Sequence, residues 1–103
     1  MYKFCFFVPA TDLETTKNAV FAAGGGRIGD YDCCAWQTLG QGQFRPLEGS
    51  NPHLGAHGQL EKVDEYKVEL VCEDHLMGKV VSAMKAAHPF EEPAYEVYRL
   101  EEF

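Results

Sequence analysis

Residues 2–8 are apolar at nearly every position, and this continuous pattern predicts a strand that is covered on both faces. Successive side chains in a strand point to opposite faces, so Cys5 and Phe7 oppose the other apolar residues of the segment. A second strand is predicted over residues 65–72, where apolar residues alternate with Lys67 and Glu69. That strand should bury one face and leave the other partly in contact with water.

Two other segments repeat apolar residues at intervals of three and four, which is the spacing of amphipathic helices. The first should begin at Thr11, which forms a capping-box pattern with Glu14, and should end at the glycines of positions 24–26. The second should begin after the potential cap Asp74 and stop at or just before His88, because the following proline disfavours helical geometry. The apolar positions of the two helices are Leu13, Val20, Phe21, Leu76, Met77, Val80, Val81, Met84 and Ala87.

The remaining segments complete a mixed pattern of helices and strands. Residues 32–39 predict a strand, residues 40–42 a glycine-rich turn, and residues 43–47 a short additional strand. Residues 48–58 form the longest predicted loop, and residues 94–100 form the last strand. The earlier triple glycine closes a helix and does not open one, so we interpret it as a turn and not as a phosphate-binding loop.

The order of these elements is strand, helix, strand, strand, helix, strand, and it predicts an α+β fold. We expect a ferredoxin-like split βαβ sandwich, in which an antiparallel sheet carries two helices on one face and an extra central hairpin. Residues 1–103 should form a single domain. The helices would cover only one face of the sheet, and the aromatic residues Tyr95, Tyr98 and Phe103 indicate that the other face meets another subunit.

The net charge, the hydropathy and the cysteine content limit the expected partners and the expected compartment. Sixteen acidic and nine basic residues give a formal charge of −7, which opposes binding to the phosphate backbone of nucleic acids. No segment approaches the roughly 20 apolar residues that a membrane-spanning helix requires, so no membrane partner is expected. The cysteines form no C-x-x-C pair and should be reduced thiols, as in a cytoplasmic protein; they are Cys5, Cys33, Cys34 and Cys72.

The most informative segment is residues 88–95, whose sequence is HPFEEPAY. Two prolines constrain the path of the backbone, and the segment carries an imidazole and two adjacent carboxylates. His88 with Glu91 and Glu92 offers a nitrogen and carboxylate oxygens to a divalent metal ion. The alternative is a turn whose histidine bonds a backbone carbonyl and whose glutamates face solvent or a neighbouring subunit.

The longest predicted loop contains two further histidines, His53 and His57. Across a subunit interface, either one could complete a set of metal ligands with His88. The alternative is that both are solvated, because a spacing of four residues outside a helix does not imply a shared metal ion.

Four motifs occur in order along the chain and together extend over most of it. They are GRIGDYD at 26–32, GQGQFRPLEGSNP at 40–52, GQLE at 58–61 and HPFEEPAY at 88–95. These motifs closely resemble the inserted domain of the Nif-three-like "dinuclear metal centre" proteins. The last two also resemble CutA, in which a histidine matches His88. The resemblance implies a free-standing version of a module with the trimeric CutA/PII-like architecture.

By analogy with this fold we expect an accessory or regulatory homotrimer that binds a divalent metal ion or a small ligand in clefts between subunits. The predicted ligand-binding residues are Asn51, Glu91, Glu92 and Tyr95, which lie within the matched motifs. The predicted metal ligands are His88 of the last motif together with His53 and His57 of the long loop. The family's paired metal ions are bound by flanking lobes, so no position here inherits that role. Two alternatives stay open, a metal-dependent hydrolase related to the family and a purely structural trimerisation module.

Overall fold

The computed structural model describes residues 1–103 and contains one four-stranded sheet and two helices. The elements are β1 (Tyr2–Pro9), α1 (Leu13–Ala22), β2 (Trp36–Phe44), β3 (Glu61–Cys72), α2 (Met77–Ala87) and β4 (Tyr95–Arg99). The sheet order is β2-β3-β1-β4, and every neighbouring pair of strands is antiparallel. This arrangement confirms the predicted α+β ferredoxin-like fold.

The hydrophobic core lies between the two helices and one face of the sheet. The central strand β1 contributes alternate residues to it, and Phe4 is paired with Leu70 of β3 on one side and with Val97 of β4 on the other. Burying one such side chain contributes roughly 1.5–3 kcal/mol, so this layer is a main source of stability. The residues with no exposed surface are Phe4, Phe6, Val8, Thr16, Val20, Val68, Val80 and Met84.

The ends of the helices differ partly from the sequence prediction. Helix α1 ends as expected, since Gly24 has a φ of 110° and the N–H of Gly25 donates to the carbonyl of Val20 at 3.1 Å. The predicted capping box is wrong, because the Thr11 hydroxyl donates to the Asp12 carboxylate and makes no bond to the helix. A 3₁₀ turn at Ala10–Asp12 leads into α1 instead, and it gives the helix its start without a side-chain cap.

Helix α2 begins in the same way, after a 3₁₀ turn at Asp74–Leu76. Asp74 does not cap the helix as predicted, because its carboxylate bonds the amino group of Met1 and lies 3.6 Å from Arg99. These contacts fix the position of the first residue of the chain. They also lower the pKa of the Asp74 carboxyl, mainly through its hydrogen bond to the amino terminus. The predicted end of α2 is confirmed at Ala87.

The region between α1 and β3 contains the largest departure from the prediction. No turn forms at residues 40–42 and no separate strand at residues 43–47; instead β2 runs continuously through both glycines of the GQG sequence. Gly40 is paired with Glu65 of β3, and the Glu65 carboxyl occupies the space over Gly42 where a Cβ atom would otherwise lie. The central hairpin is therefore made by β2 and β3 themselves, joined by residues 45–60.

The face of the sheet that carries no helix is mixed in character. Lys3 lies 3.0 Å from Glu69, and Lys67 lies 3.8 Å from the same carboxylate. Tyr98 is on this face beside Lys3, whereas Tyr95 is paired with Phe6 and lies on the helix face, contrary to the expectation from sequence. The open face therefore combines one cluster of ion pairs around Glu69 with apolar residues, which include Cys5 and Phe7 of β1.

Neither helix, at 10 and 11 residues, has the length and apolar character to span a membrane.

Candidate functional site

The turn at residues 88–95 is anchored by a buried histidine. His88 is 7% exposed and has the extended backbone, with φ −73° and ψ 139°, that a following proline favours. Its Nε2 atom lies 2.7 Å from the carbonyl oxygen of Phe7, and its Nδ1 atom accepts from the N–H of Phe90 at 3.0 Å. Because a carbonyl only accepts, Nε2 carries the hydrogen and Nδ1 is the unprotonated nitrogen. Both ring nitrogens are thus bonded to the main chain.

Burial lowers the pKa of His88, and the nearby His53 lowers it further, while the Phe7 carbonyl and Asp12 oppose the shift. The hydrogen-bond geometry acts in the same direction as burial. A second proton on Nδ1 would face the N–H of Phe90, so that two donors would point at each other. The neutral ring is therefore the form that this turn requires.

Phe90 connects the turn to the loop of residues 45–60. Its ring lies 5.6 Å from that of Phe44 at the end of β2, 6.3 Å from the imidazole of His53, and 5.1 Å from that of His88. Such tilted and edge-on aromatic contacts contribute about 0.5–1.5 kcal/mol beyond the area they bury. The loop therefore packs against the turn through a small aromatic cluster of its own.

Polar contacts support the same loop. The backbone N–H of Asn51 donates to the Glu91 carboxylate at 3.0 Å, which ties the tip of the loop to the turn. Ser50 donates from its hydroxyl to the carbonyl of Leu47 at 2.7 Å, and Nε2 of His57 lies 2.9 Å from the carbonyl of Ser50. The loop thus has a defined shape, and one of its hydrogen bonds uses a carboxylate of the turn.

A cleft of about 360 Å³ lies between the loop, the turn and the end of the β2–β3 hairpin. Its floor includes Glu65, whose pKa is raised by burial. A volume of this size is within the range of small-molecule sites. The lining residues are Gln43, Phe44, Arg45, Pro46, Leu47, Ser50, Pro52, His53, Leu54, Glu65, Phe90, Glu91, Glu92 and Ala94.

Three of the residues singled out in the sequence line this cleft, namely Glu91, Glu92 and His53. Four others do not, and they are Asn51, Tyr95, His57 and His88. The Tyr95 ring instead packs edge-on against Phe4 at 6.2 Å, with the Lys85 ammonium 5.0 Å from its centroid. The structure therefore brings only three of the seven predicted residues together in the cleft.

The predicted metal ligands are not arranged as a set. No group of three or more His, Cys, Asp and Glu side chains is placed to hold a metal ion in this chain. His88 has the contact that the sequence alternative described, a bond to a backbone carbonyl, while His57 bonds the loop and His53 faces the cleft. A metal ligand role for the three histidines stays a prediction that would require other chains.

Glu65 and Arg45 are cleft residues that the sequence reasoning did not identify. A signal was present in the GQG sequence, because two glycines on the same face of a strand leave space for a neighbouring side chain. That signal was assigned to a turn, which removed the strand partner of Glu65 from consideration.

The sequence is similar to one segment of longer proteins. It is 44% identical over 100 residues to the "GTP cyclohydrolase 1 type 2 homolog" of Halalkalibacterium halodurans, covering 97% of this chain and 27% of that protein. The identity is 43% over 98 residues to the protein of the same name from Mycobacterium tuberculosis, with 95% and 26% covered. The chain thus spans about a quarter of the length of these curated relatives. No family model matches the sequence.

Solved structures of a NIF3-related protein and of CutA are also similar to this chain. A Bacillus cereus protein related to NIF3 matches with a TM-score of 0.84 and 42% identity, covering 98% of this chain and 26% of that one. The periplasmic divalent cation tolerance protein CutA from Archaeoglobus fulgidus matches with a TM-score of 0.67 and 14% identity, covering 100% and 87%. At that identity the likeness to CutA shows the fold alone.

Proposed function

Because this chain is a homologue of one small domain of the NIF3-related proteins and has the CutA-like fold, we propose that it is an accessory module that binds a small ligand. The observation that carries the proposal is the cleft between the loop of residues 45–60 and the turn of residues 88–95. Its walls are predominantly apolar, and a few carboxylates point into it, which is the usual character of a ligand site.

The cleft is held open by contacts on its own rim. Glu91 accepts from the Asn51 backbone, and Phe90 packs between Phe44 and His53. A site that is largely formed before binding loses less conformational entropy when a ligand enters. This arrangement supports a binding role for the loop and the turn together.

We further propose that the module is a homotrimer in which the open faces and edges of the sheets meet. The edge strand β2 leaves its outer backbone groups unpaired, and Trp36 and Leu39 on it are 68% and 57% exposed. The opposite edge, β4, exposes Val97 and Tyr98. Long exposed edges with apolar side chains favour pairing with another chain, and a head-to-tail contact that closes gives a ring. In this assembly the clefts would lie near the subunit boundaries.

The name of the structurally similar CutA protein refers to divalent cations, so a metal ion is the alternative occupant of the cleft. His53, Glu91 and Glu92 line the cleft, but a further ligand from a neighbouring copy would be needed to complete a site. The four free thiols agree with a reducing compartment, and we propose the cytoplasm.

Light scattering of the purified chain at several concentrations tests the assembly, and the expected mass is three times the 11.5 kDa of one chain. A stable monomer at all concentrations would contradict it. Mass spectrometry under native conditions, together with metal analysis of protein prepared without an affinity tag, tests the occupant. A retained organic molecule supports the proposal, whereas stoichiometric metal lost on mutation of His53 would replace it with the metal alternative.

A further inference from the structure

Glu65 is a partly buried carboxylate that makes no hydrogen bond and no ion pair within the chain. It projects from β3 onto the open face of the sheet and lies over Gly42 of the neighbouring strand. Burial raises the pKa of this carboxyl, since the charged form loses water without gaining a partner. A carboxylate that is partly withdrawn from water without a partner in its own chain is a frequent feature of binding sites.

The next carboxylate on the same face has a different environment. Glu69, four residues along β3, is held by Lys3 at 3.0 Å and Lys67 at 3.8 Å, and its pKa is lowered, mainly by the hydrogen bond to Lys3. Two lysines of the sheet therefore form ion pairs with Glu69, and none forms an ion pair with Glu65. The contrast marks Glu65 as the carboxylate whose counter-charge does not come from this chain.

Glu65 also has an unusual position, because it lines two clefts. One is the cleft beside the turn of residues 88–95, and the other, about 390 Å³, lies along β2 on the open face and includes Lys67 and Glu69. In the second cleft the nearest carboxylate is already neutralised by lysines. Glu65 therefore reaches both clefts, and no lysine or arginine of either lining forms an ion pair with it.

The lining of the first cleft specifies a ligand by its chemistry. Three carboxylates line it, Glu65, Glu91 and Glu92, against the single guanidinium of Arg45. The neighbouring apolar surface includes Phe44, Pro46, Leu54 and Phe90. An acidic site with an aromatic and aliphatic wall complements a positively charged group on an apolar body.

We propose that this cleft binds a small organic cation, an amine or guanidinium carried on an apolar body, and that the Glu65 carboxylate is its anchor. The inference rests on the proposed small-ligand function and names the chemical class of the ligand. The cation bonds Glu65 on the floor while the apolar body lies against Phe44 and Phe90. A charge-assisted bond in a partly dry site is stronger than one at the surface, so Glu65 should dominate selectivity over Glu91 and Glu92.

Benzylamine and its neutral analogue benzyl alcohol are suitable probes, because they share the apolar body and differ in the charged group. Binding of each to the full chain is measured by NMR titration at neutral pH. The variants are Glu65→Gln, which keeps the shape of the side chain, and Asp64→Asn as a matched control. Asp64 is the adjacent residue of β3, is exposed, lines neither cleft, and its variant changes the net charge by the same amount.

We expect benzylamine to bind the unmodified protein about tenfold more tightly than benzyl alcohol, with shifts at Phe44, His53 and Phe90. Glu65→Gln should remove this preference, and Asp64→Asn should keep it. Equal binding of the two probes, a preference that survives in Glu65→Gln, or shifts confined to residues outside the cleft would each overturn the inference. Equal binding of the two probes by the wild-type protein would overturn the inference even if Glu65→Gln is poorly folded.

The outcome is separable from the test of assembly. A monomer that prefers benzylamine would keep Glu65 as the anchor and remove the trimer. A trimer that retains another small molecule but shows no preference for the amine would keep the proposed function and remove the assigned ligand class.

Discussion

The Nε2–H of His88 donates to the carbonyl oxygen of Phe7 across 2.7 Å, although the two residues are 81 positions apart in the chain. The bond joins the segment after α2 to the central strand of the sheet. On the other side of the His88 ring, Nδ1 accepts a hydrogen bond from the N–H of Phe90. This buried side chain and the Phe7 N–H, which donates to the Ala94 carbonyl at 3.1 Å, together fix the position of the turn relative to the sheet, and the cleft depends on that position.

The first prediction concerns pH. Because burial lowers the pKa of His88 in the fold, the unfolded chain binds this proton more tightly than the folded chain. The contribution of the neutral ring is complete above the ordinary pKa of 6.5 and decreases as the pH falls below it. The free energy of unfolding, measured by urea titration, should fall by up to about 1.4 kcal/mol per pH unit in that window.

His88→Gln isolates this effect, since its amide can still donate to the Phe7 carbonyl but does not titrate. The difference in unfolding free energy between the two proteins should shrink as the pH falls from about 7 towards 5. His75→Gln is the control, because it removes an exposed imidazole and leaves the turn of residues 88–95 untouched. A wild-type curve that runs parallel to that of His88→Gln would contradict the assignment of the neutral ring.

The second prediction uses a pair of glycines. Gly24 has a φ of 110°, and a Cβ atom there would lie 2.8 Å from Leu76, so Gly24→Ala should lower the free energy of unfolding by about 1 kcal/mol or more. Gly78 is in α2 with nothing within 4 Å of an added Cβ, so Gly78→Ala should be neutral or stabilising by up to about 1 kcal/mol. Urea titrations of both variants at one protein concentration measure the opposite signs. Equal effects of the two changes would refute the left-handed helix end.

The third prediction concerns the core. Met84 has no exposed surface and packs between α2 and the sheet, so Met84→Ala should cost about 2–5 kcal/mol in unfolding free energy. Lys79→Ala, on the exposed side of the same helix, should change it by less than about 0.5 kcal/mol. Thermal melts followed by circular dichroism provide the first check and urea titrations the values. A small loss at Met84 would mean that α2 does not pack as the structure places it.

The fourth prediction concerns the tie between the loop and the turn. Glu91→Ala removes the acceptor of the Asn51 amide, so hydrogen exchange at Asn51 should become roughly three- to tenfold faster, a modest change because the contact is exposed. Glu92→Ala is the matched control, since Glu92 lines the same cleft without bonding the loop. Unchanged exchange at Asn51 in Glu91→Ala would show that the aromatic cluster around Phe90 alone holds the loop.

The fold could be predicted from sequence where the signals were local and strong. The apolar run of β1 and the stop imposed by Pro89 on α2 depend on neighbouring residues, and both were placed to within a residue or two. The continuous strand β2 could not be predicted in this way, because its glycines are stabilised by pairing with β3. Pairing between distant segments overrode the local tendency of Gly40 and Gly42 to form a turn.

Residues of the turn and the loop were predicted from the sequence to bind a ligand or metal ion in clefts between subunits, and that role stays a prediction. The turn and the loop do form a cleft, and Glu91, Glu92 and His53 line it. His88 was assigned a ligand role from its residue type, but whether both ring nitrogens find backbone partners depends on the distance to Phe7, which no spacing in the sequence reveals. Glu65 had no local feature that set it apart from the other charges of β3.

Strand β1 occupies the middle of the sheet although it is the first strand of the chain, and its partners are at residues 65–72 and Tyr95–Arg99. During translation the phenylalanines of β1 lack their strand partners until nearly the whole domain has left the ribosome. Loop closure over such separations slows folding. An unpaired strand with exposed apolar side chains is also a target for chaperones. We therefore expect β1 to be the part of the nascent chain most prone to aggregation until residues 95–99 have been made.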